Sequence, residues 1–108
     1  MNRWNIPDWL EGKIRKRDKC CVYCRIPMKE SSGHRVGRKK RATWEHIDND
    51  EWRQASETNV VRCCGSCNSS KGAKPLKKWL ESDYCKKKTI NKKTVMPVVK
   101  RWLRMNGV

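Results

Sequence analysis

The stretch Asn59-Val60-Val61-Arg62-Cys63-Cys64-Gly65-Ser66-Cys67-Asn68-Ser69-Ser70-Lys71-Gly72 decides how this chain folds. Val60 and Val61 give it the β-branched character of a short strand, here over residues 59–63. A Cys-x-x-Cys pair, Cys64 and Cys67, follows at once. Ser66 is then placed to cap a short helix to about Lys71, and Gly72 to end it. Outward toward the N-terminus lies the sequence Cys20-Cys21-Val22-Tyr23-Cys24, with a second such pair about forty residues away. Two turns of this kind bring four thiolates to the corners of a tetrahedron, the closed geometry of a structural Zn²⁺ site. Cys20 and Cys63 each flank a pair, so the register could shift by one. The spacing selects Cys21, Cys24, Cys64 and Cys67, and it leaves Cys85 without a partner.

Composition gives those cysteines a purpose. The 108 residues include no Phe, and hydrophobic types make up 36%. So short a chain buries a modest core, and its margin of stability is thin. A structural zinc contributes roughly 10–16 kcal/mol to the folded form alone, enough to offset that deficit. Seven cysteines, an odd number, suit a disulfide framework badly. No secretory leader is recognisable at the N-terminus, so we expect a cytoplasmic protein of bacterial or phage type, in a reducing compartment that favours metal over disulfides. Redox motifs of the thioredoxin kind would need a βαβ pattern, and none is present.

The formal net charge is +16. Solubility alone needs on the order of 2 to 8 units in a small domain, so a polyanion is the expected partner. Double-stranded DNA is favoured over a membrane surface, because no segment joins a basic face to a broad apolar one. The densest basic cluster, including Arg38, Lys39, Lys40 and Arg41, falls on a loop and is suited to phosphates. Lys71 and Lys74 either contact phosphate or lie in solvent. His34, in the same loop, reads as a surface residue.

Around this centre, residues 6–17 form a helix with Ile6, Trp9, Leu10 and Ile14 on one face. Residues 42–47 form a strand, and Asp48-Asn49-Asp50 mark a turn. Helices are expected over 75–82 and 95–106, with a lysine-rich connection over 86–93. The six tryptophans stand in for the missing Phe.

Between the cysteine pairs lies Thr43-Trp44-Glu45-His46-Ile47. An acid–His pair closing a strand, then Asn59, then Cys-x-x-Cys-Asn with a lysine soon after, resembles the HNH endonuclease family over about residues 20–74. The resemblance implies an α+β fold with a ββα-metal nuclease core; the length fits a single domain, residues 1–108, in which the helices read above flank that core. It also implies metal-dependent hydrolysis of DNA phosphodiester bonds. His46 matches the general base, and Glu45 the first ligand of a catalytic Mg²⁺ or Mn²⁺. Asn59 matches the residue that braces the loop holding the base. Asn68 matches the second metal ligand, which makes this an HNN variant. The family commonly carries Asp where Glu45 stands, so the ion would sit farther out; Asp48 and Asp50 are substitutes of lower rank. On the residues alone, Asn59 is equally a turn residue at the entry to a strand.

The chemistry agrees. A histidine with a pKa near ~6.5 accepts a proton at neutral pH, and carboxylate and amide oxygens are hard ligands for such ions. Adjacent strand residues point to opposite faces, so Glu45 and His46 share one site only if the strand bends or ends there. One site nicks one strand, so a double-strand break needs a homodimer or a second encounter. The rival is a zinc-binding module that only binds DNA. It explains the zinc and the charge but gives no reason for Glu45-His46 or Asn68. A zinc deaminase would need H-x-E and P-C-x-x-C motifs, which are absent.

Overall fold

A two-stranded antiparallel hairpin lies between one helix and a set of four in the computed structural model, which describes residues 6–30, 37, 39–51 and 56–108. Strand β1 (Ala42–His46) pairs with β2 (Val60–Cys64), with Ala42 opposite Cys64 and His46 opposite Val60. Helices plus this small sheet make the chain α+β, as expected.

Side-chain alternation divides the hairpin into two rows. Trp44 and Val60 share one row and pack with Ile6, Leu10 and Ile14. Thr43, Glu45, Val61 and Cys63 form the other. Val61 and Cys63 join the larger core of Tyr23, Trp79, Val99 and Leu103. Every residue of β2 is buried because both faces are covered.

Helix α1 (Asp8–Arg17) follows Pro7, whose extended backbone suits a helix start, and its ends carry Asp8 and Glu11 against Arg15, Lys16 and Arg17. That distribution complements the helix dipole. Its buried stripe is narrow: Ile6, Leu10 and Ile14 recur every fourth residue, and Trp9, expected among them, is 67% exposed.

Helix α2 (Gly65–Lys71) is capped by the Cys64 sulfur, which accepts from the Cys67 amide, and not by Ser66. Gly72 follows it with φ +53, in the left-handed region that favours glycine. Next come α3 (Leu76–Leu80), α4 (Asp83–Lys88) and α5 (Pro97–Met105).

The α4 helix corrects the expected lysine-rich connection. Ser82 caps it by accepting from the Cys85 amide, Asp83 sits in its first turn, and Lys86, Lys87 and Lys88 sit in its last. The lysines are in part the dipole partners of a helix end. The chain entering α5 is tied to the first cysteine turn, where the Met96 amide donates to the Val22 carbonyl at 2.9 Å. Among the described residues no helix is long and apolar enough to cross a membrane.

Candidate metal centre and hydrolytic site

The two cysteine turns are built alike. In the first, the Cys24 amide donates to Cys21 Sγ at 3.5 Å; in the second, the Cys67 amide donates to Cys64 Sγ at 3.4 Å. Arg25 closes the first turn with φ +70, its amide donating to the Cys21 carbonyl. The hairpin supplies the second turn, because β2 runs straight into α2 at Cys64.

The four sulfurs lie within 4.8 Å of one another, and Cys24 Sγ is 3.7 Å from Cys64 Sγ. A Zn–S bond of about 2.3 Å in a tetrahedron requires sulfurs about 3.8 Å apart. The residues therefore fit a metal ion such as zinc. The register ambiguity disappears: Cys20 pairs its backbone with Pro27, and Cys63 lies against Thr43 Oγ1.

Crowding four thiols couples their titration. Mutual hydrogen bonds, foremost that with Cys21, hold the Cys24 thiol far below the ordinary range and push Cys64 and Cys67 well above it. The hydrogen bond with Cys24 opposes, but those with Cys64 and Cys67 lower Cys21 as well, to about 7. Two thiolates form readily and the other two are resisted by their charge, a resistance that a bound dication removes.

On the α2 side of the hairpin, Glu45 Oε2 accepts from the Tyr23 hydroxyl at 2.6 Å and pairs with Lys71 Nζ at 3.2 Å. The side-chain exposures are 3% for Glu45 and 0% for Lys71. Lys71 therefore faces neither phosphate nor solvent, a correction to both readings of it. Its ammonium also donates to the His46 carbonyl. Burial raises the Glu45 pKa, opposed by the charge of Lys71 and the bond from Tyr23. Burial, and next the negative charge of Glu45, lift Tyr23 well above the usual phenol.

Asn68 lies on the same side. Its Nδ2 donates to Thr43 Oγ1 at 2.9 Å and to the Trp44 carbonyl, so its amide is fixed with Oδ1 unengaged by any described residue. Carboxylate and amide oxygens beneath one helix are hard donors of the kind Mg²⁺ or Mn²⁺ takes. Glu45, however, already holds the Lys71 ammonium.

His46 ends β1 and shares the row of Trp44 and Val60, so the register puts it and Glu45 on opposite faces. Its Nε2 is buried with no hydrogen-bond partner among the described residues. Burial, and then the charge of Lys71, lower its pKa below the ordinary imidazole value. Both effects favour the neutral form of the ring.

Just beyond it, Asn59 braces the chain. Its Oδ1 accepts from the Asp48 amide at 2.8 Å, its Nδ2 donates to the Asp48 carbonyl at 3.2 Å, and its own carbonyl accepts from the Ile47 amide.

Of the basic residues, Lys39 and Lys40 are exposed in the turn before β1, and Arg41 is half-buried at the start of the hairpin. Lys74 is exposed, with Nζ on the Ser70 carbonyl. Arg38 and His34 lie outside the described residues, as do Trp4 and Trp52.

Two contributors escaped the sequence reading. Tyr23, inside the first cysteine turn, serves Glu45. Tyr84, beside the unpaired Cys85, reaches Cys67. Comparison with family models, with curated proteins and with solved structures finds no match for this chain.

Proposed function

We propose that this chain is a DNA endonuclease of the HNH type, with a structural zinc on Cys21, Cys24, Cys64 and Cys67. The observation that carries the reading is His46. It ends β1 with an Nε2 that has no hydrogen-bond partner among the described residues, its pKa is lowered by burial and then by the charge of Lys71, and it is followed by a loop that Asn59 pins through both Asp48 backbone groups. A neutral imidazole with a free nitrogen takes the proton of a water attacking phosphorus.

Mg²⁺ or Mn²⁺ would be held by Glu45 and Asn68 and would stabilise charge on the phosphate and leaving oxygens. Thr43 fixes Asn68, and Tyr23 with Lys71 fixes Glu45. The +16 charge attracts duplex DNA, and phosphate contacts position it without reading sequence.

A second reading, a zinc-stapled module that binds DNA without cutting it, is favoured by one observation. Glu45 already has a cation in Lys71, and the sheet register separates it from His46. An end-labelled duplex incubated with either ion separates the two. The nuclease reading predicts products with ligatable 5′-phosphate and 3′-hydroxyl ends, and a His46→Ala variant that binds but does not cut. A wild type that binds the duplex and leaves it whole supports the module.

A further inference from the structure

Tyr84 stands in helix α4, far along the chain from the second cysteine turn, yet its hydroxyl donates to Cys67 Sγ at 3.3 Å. The same oxygen lies 2.8 Å from Ser66 Oγ. A phenol has one proton. With that proton on the sulfur, Ser66 is the donor in the second bond, so the hydroxyl is oriented from within the Cys64-x-x-Cys67 turn itself.

The ring is held as firmly. It stacks on Trp79 with centroids 6.0 Å apart and an interplanar angle of 30°, and Lys88 Nζ lies 5.2 Å above its centroid. Trp79 is buried and is anchored by its indole N–H, which donates to Ser70 Oγ at 3.0 Å. Thus α2, α3 and α4 converge on one phenol aimed at one sulfur.

We infer that Tyr84 is a positioning residue for the metal centre: its O–H donates to the Cys67 thiolate once the ion is bound, and so couples helices α3 and α4 to the cysteine turns. The inference rests on the cysteine cluster holding a metal. A tetrathiolate site around a dication carries net negative charge. A hydrogen bond to one sulfur withdraws part of it, makes that thiolate a poorer target for protons and electrophiles, and fixes its direction. Outer partners of this sort are typically worth about 10–100-fold in metal affinity. One O–H···S bond belongs near the lower end of that range.

The test uses the full chain loaded with Zn²⁺, and in parallel with Co²⁺, whose sulfur-to-metal charge-transfer band reports on the thiolates. Tyr84→Phe keeps the ring, its stacking and its place under Lys88, and removes only the proton donor. We expect about tenfold faster release of Zn²⁺ to a chelating dye and a shifted charge-transfer band, with an unchanged far-ultraviolet circular dichroism spectrum. Ser66→Ala, which leaves the phenol but removes its orienting partner, should move both readouts the same way by less. A role in packing alone would leave both readouts of Tyr84→Phe at wild-type values, and that result overturns the inference. If the wild type holds neither ion at one equivalent, the metal reading falls and the inference with it.

Discussion

The cysteine cluster and the Glu45–His46 pair stand toward opposite ends of the hairpin, and they are built in opposite ways. Around the cysteines every group points at one place: two backbone turns of the same form, and a phenol beyond them, converge on four sulfurs. At the hairpin end the groups diverge. Glu45 turns into the core toward Tyr23 and Lys71, His46 lies in the opposite row, and Asn68 leans on Thr43. A structural centre is complete when its ligands are gathered. A hydrolytic one needs donors left unsatisfied, and among the described residues the hairpin keeps two of them, His46 Nε2 and the amide oxygen of Asn68.

The largest effect should come from the cysteines. Replacing Cys64 by Ser removes a metal ligand, while the serine oxygen can still cap α2. Since a structural zinc supplies roughly 10–16 kcal/mol to a fold this small, the variant should be largely unfolded by circular dichroism. Stripping the ion from the wild type with a chelator should do the same. A chelated protein that keeps its spectrum would make the cluster dispensable and dissolve the contrast.

A smaller effect belongs to Glu45. Glu45→Ala leaves the Lys71 ammonium buried without its carboxylate and should cost about 3–5 kcal/mol in urea denaturation. Replacing both partners together, Glu45→Leu with Lys71→Met, should bring most of that stability back, because an apolar pair of similar volume often substitutes without loss. A double variant no more stable than the single one would mean that Glu45 is held by something other than Lys71.

The smallest effect concerns pH. Burial and the charge of Lys71 hold the folded His46 pKa below its unfolded value near 6.5. The stability this group contributes is therefore complete above about pH 6.5 and is lost as pH falls through the folded value. Glu45, with a raised pKa, works the other way, its contribution present below the ordinary carboxylate range and lost as pH rises. Between pH 7.5 and 5.5 the wild type should lose more in melting temperature than His46→Gln does, by on the order of a few degrees. Equal losses would show that the imidazole pays no penalty for charging.

What the sequence made legible follows from range. The cysteine pairs are local spacings, and the turn geometry that unites their sulfurs is encoded within four residues. Asn59 was not decided by the residues alone, which suit a turn residue as well; its two amide atoms reach back to Asp48 on the far side of a loop. Lys71 was misread because a lysine in a basic chain looks like a surface charge. Its partner Glu45 lies on β1, distant in sequence, and nothing local announces that an ammonium will be buried there. The α4 helix was missed because Lys86, Lys87 and Lys88 hid a good start at Ser82 and Asp83. Trp9 was assigned to the wrong side because a stripe recurring every fourth residue is too narrow to include it.

In the proposed division of labour the hairpin end cuts DNA while the cysteine cluster only holds it in shape. Supercoiled plasmid incubated with the zinc-loaded protein and added Mg²⁺ or Mn²⁺ tests it most directly, beside a His46→Ala variant of matching circular dichroism and zinc content. Relaxed circles are expected from the wild type and intact supercoils from the variant. Supercoils left whole by the wild type with either ion, or cut equally by the variant, would contradict it.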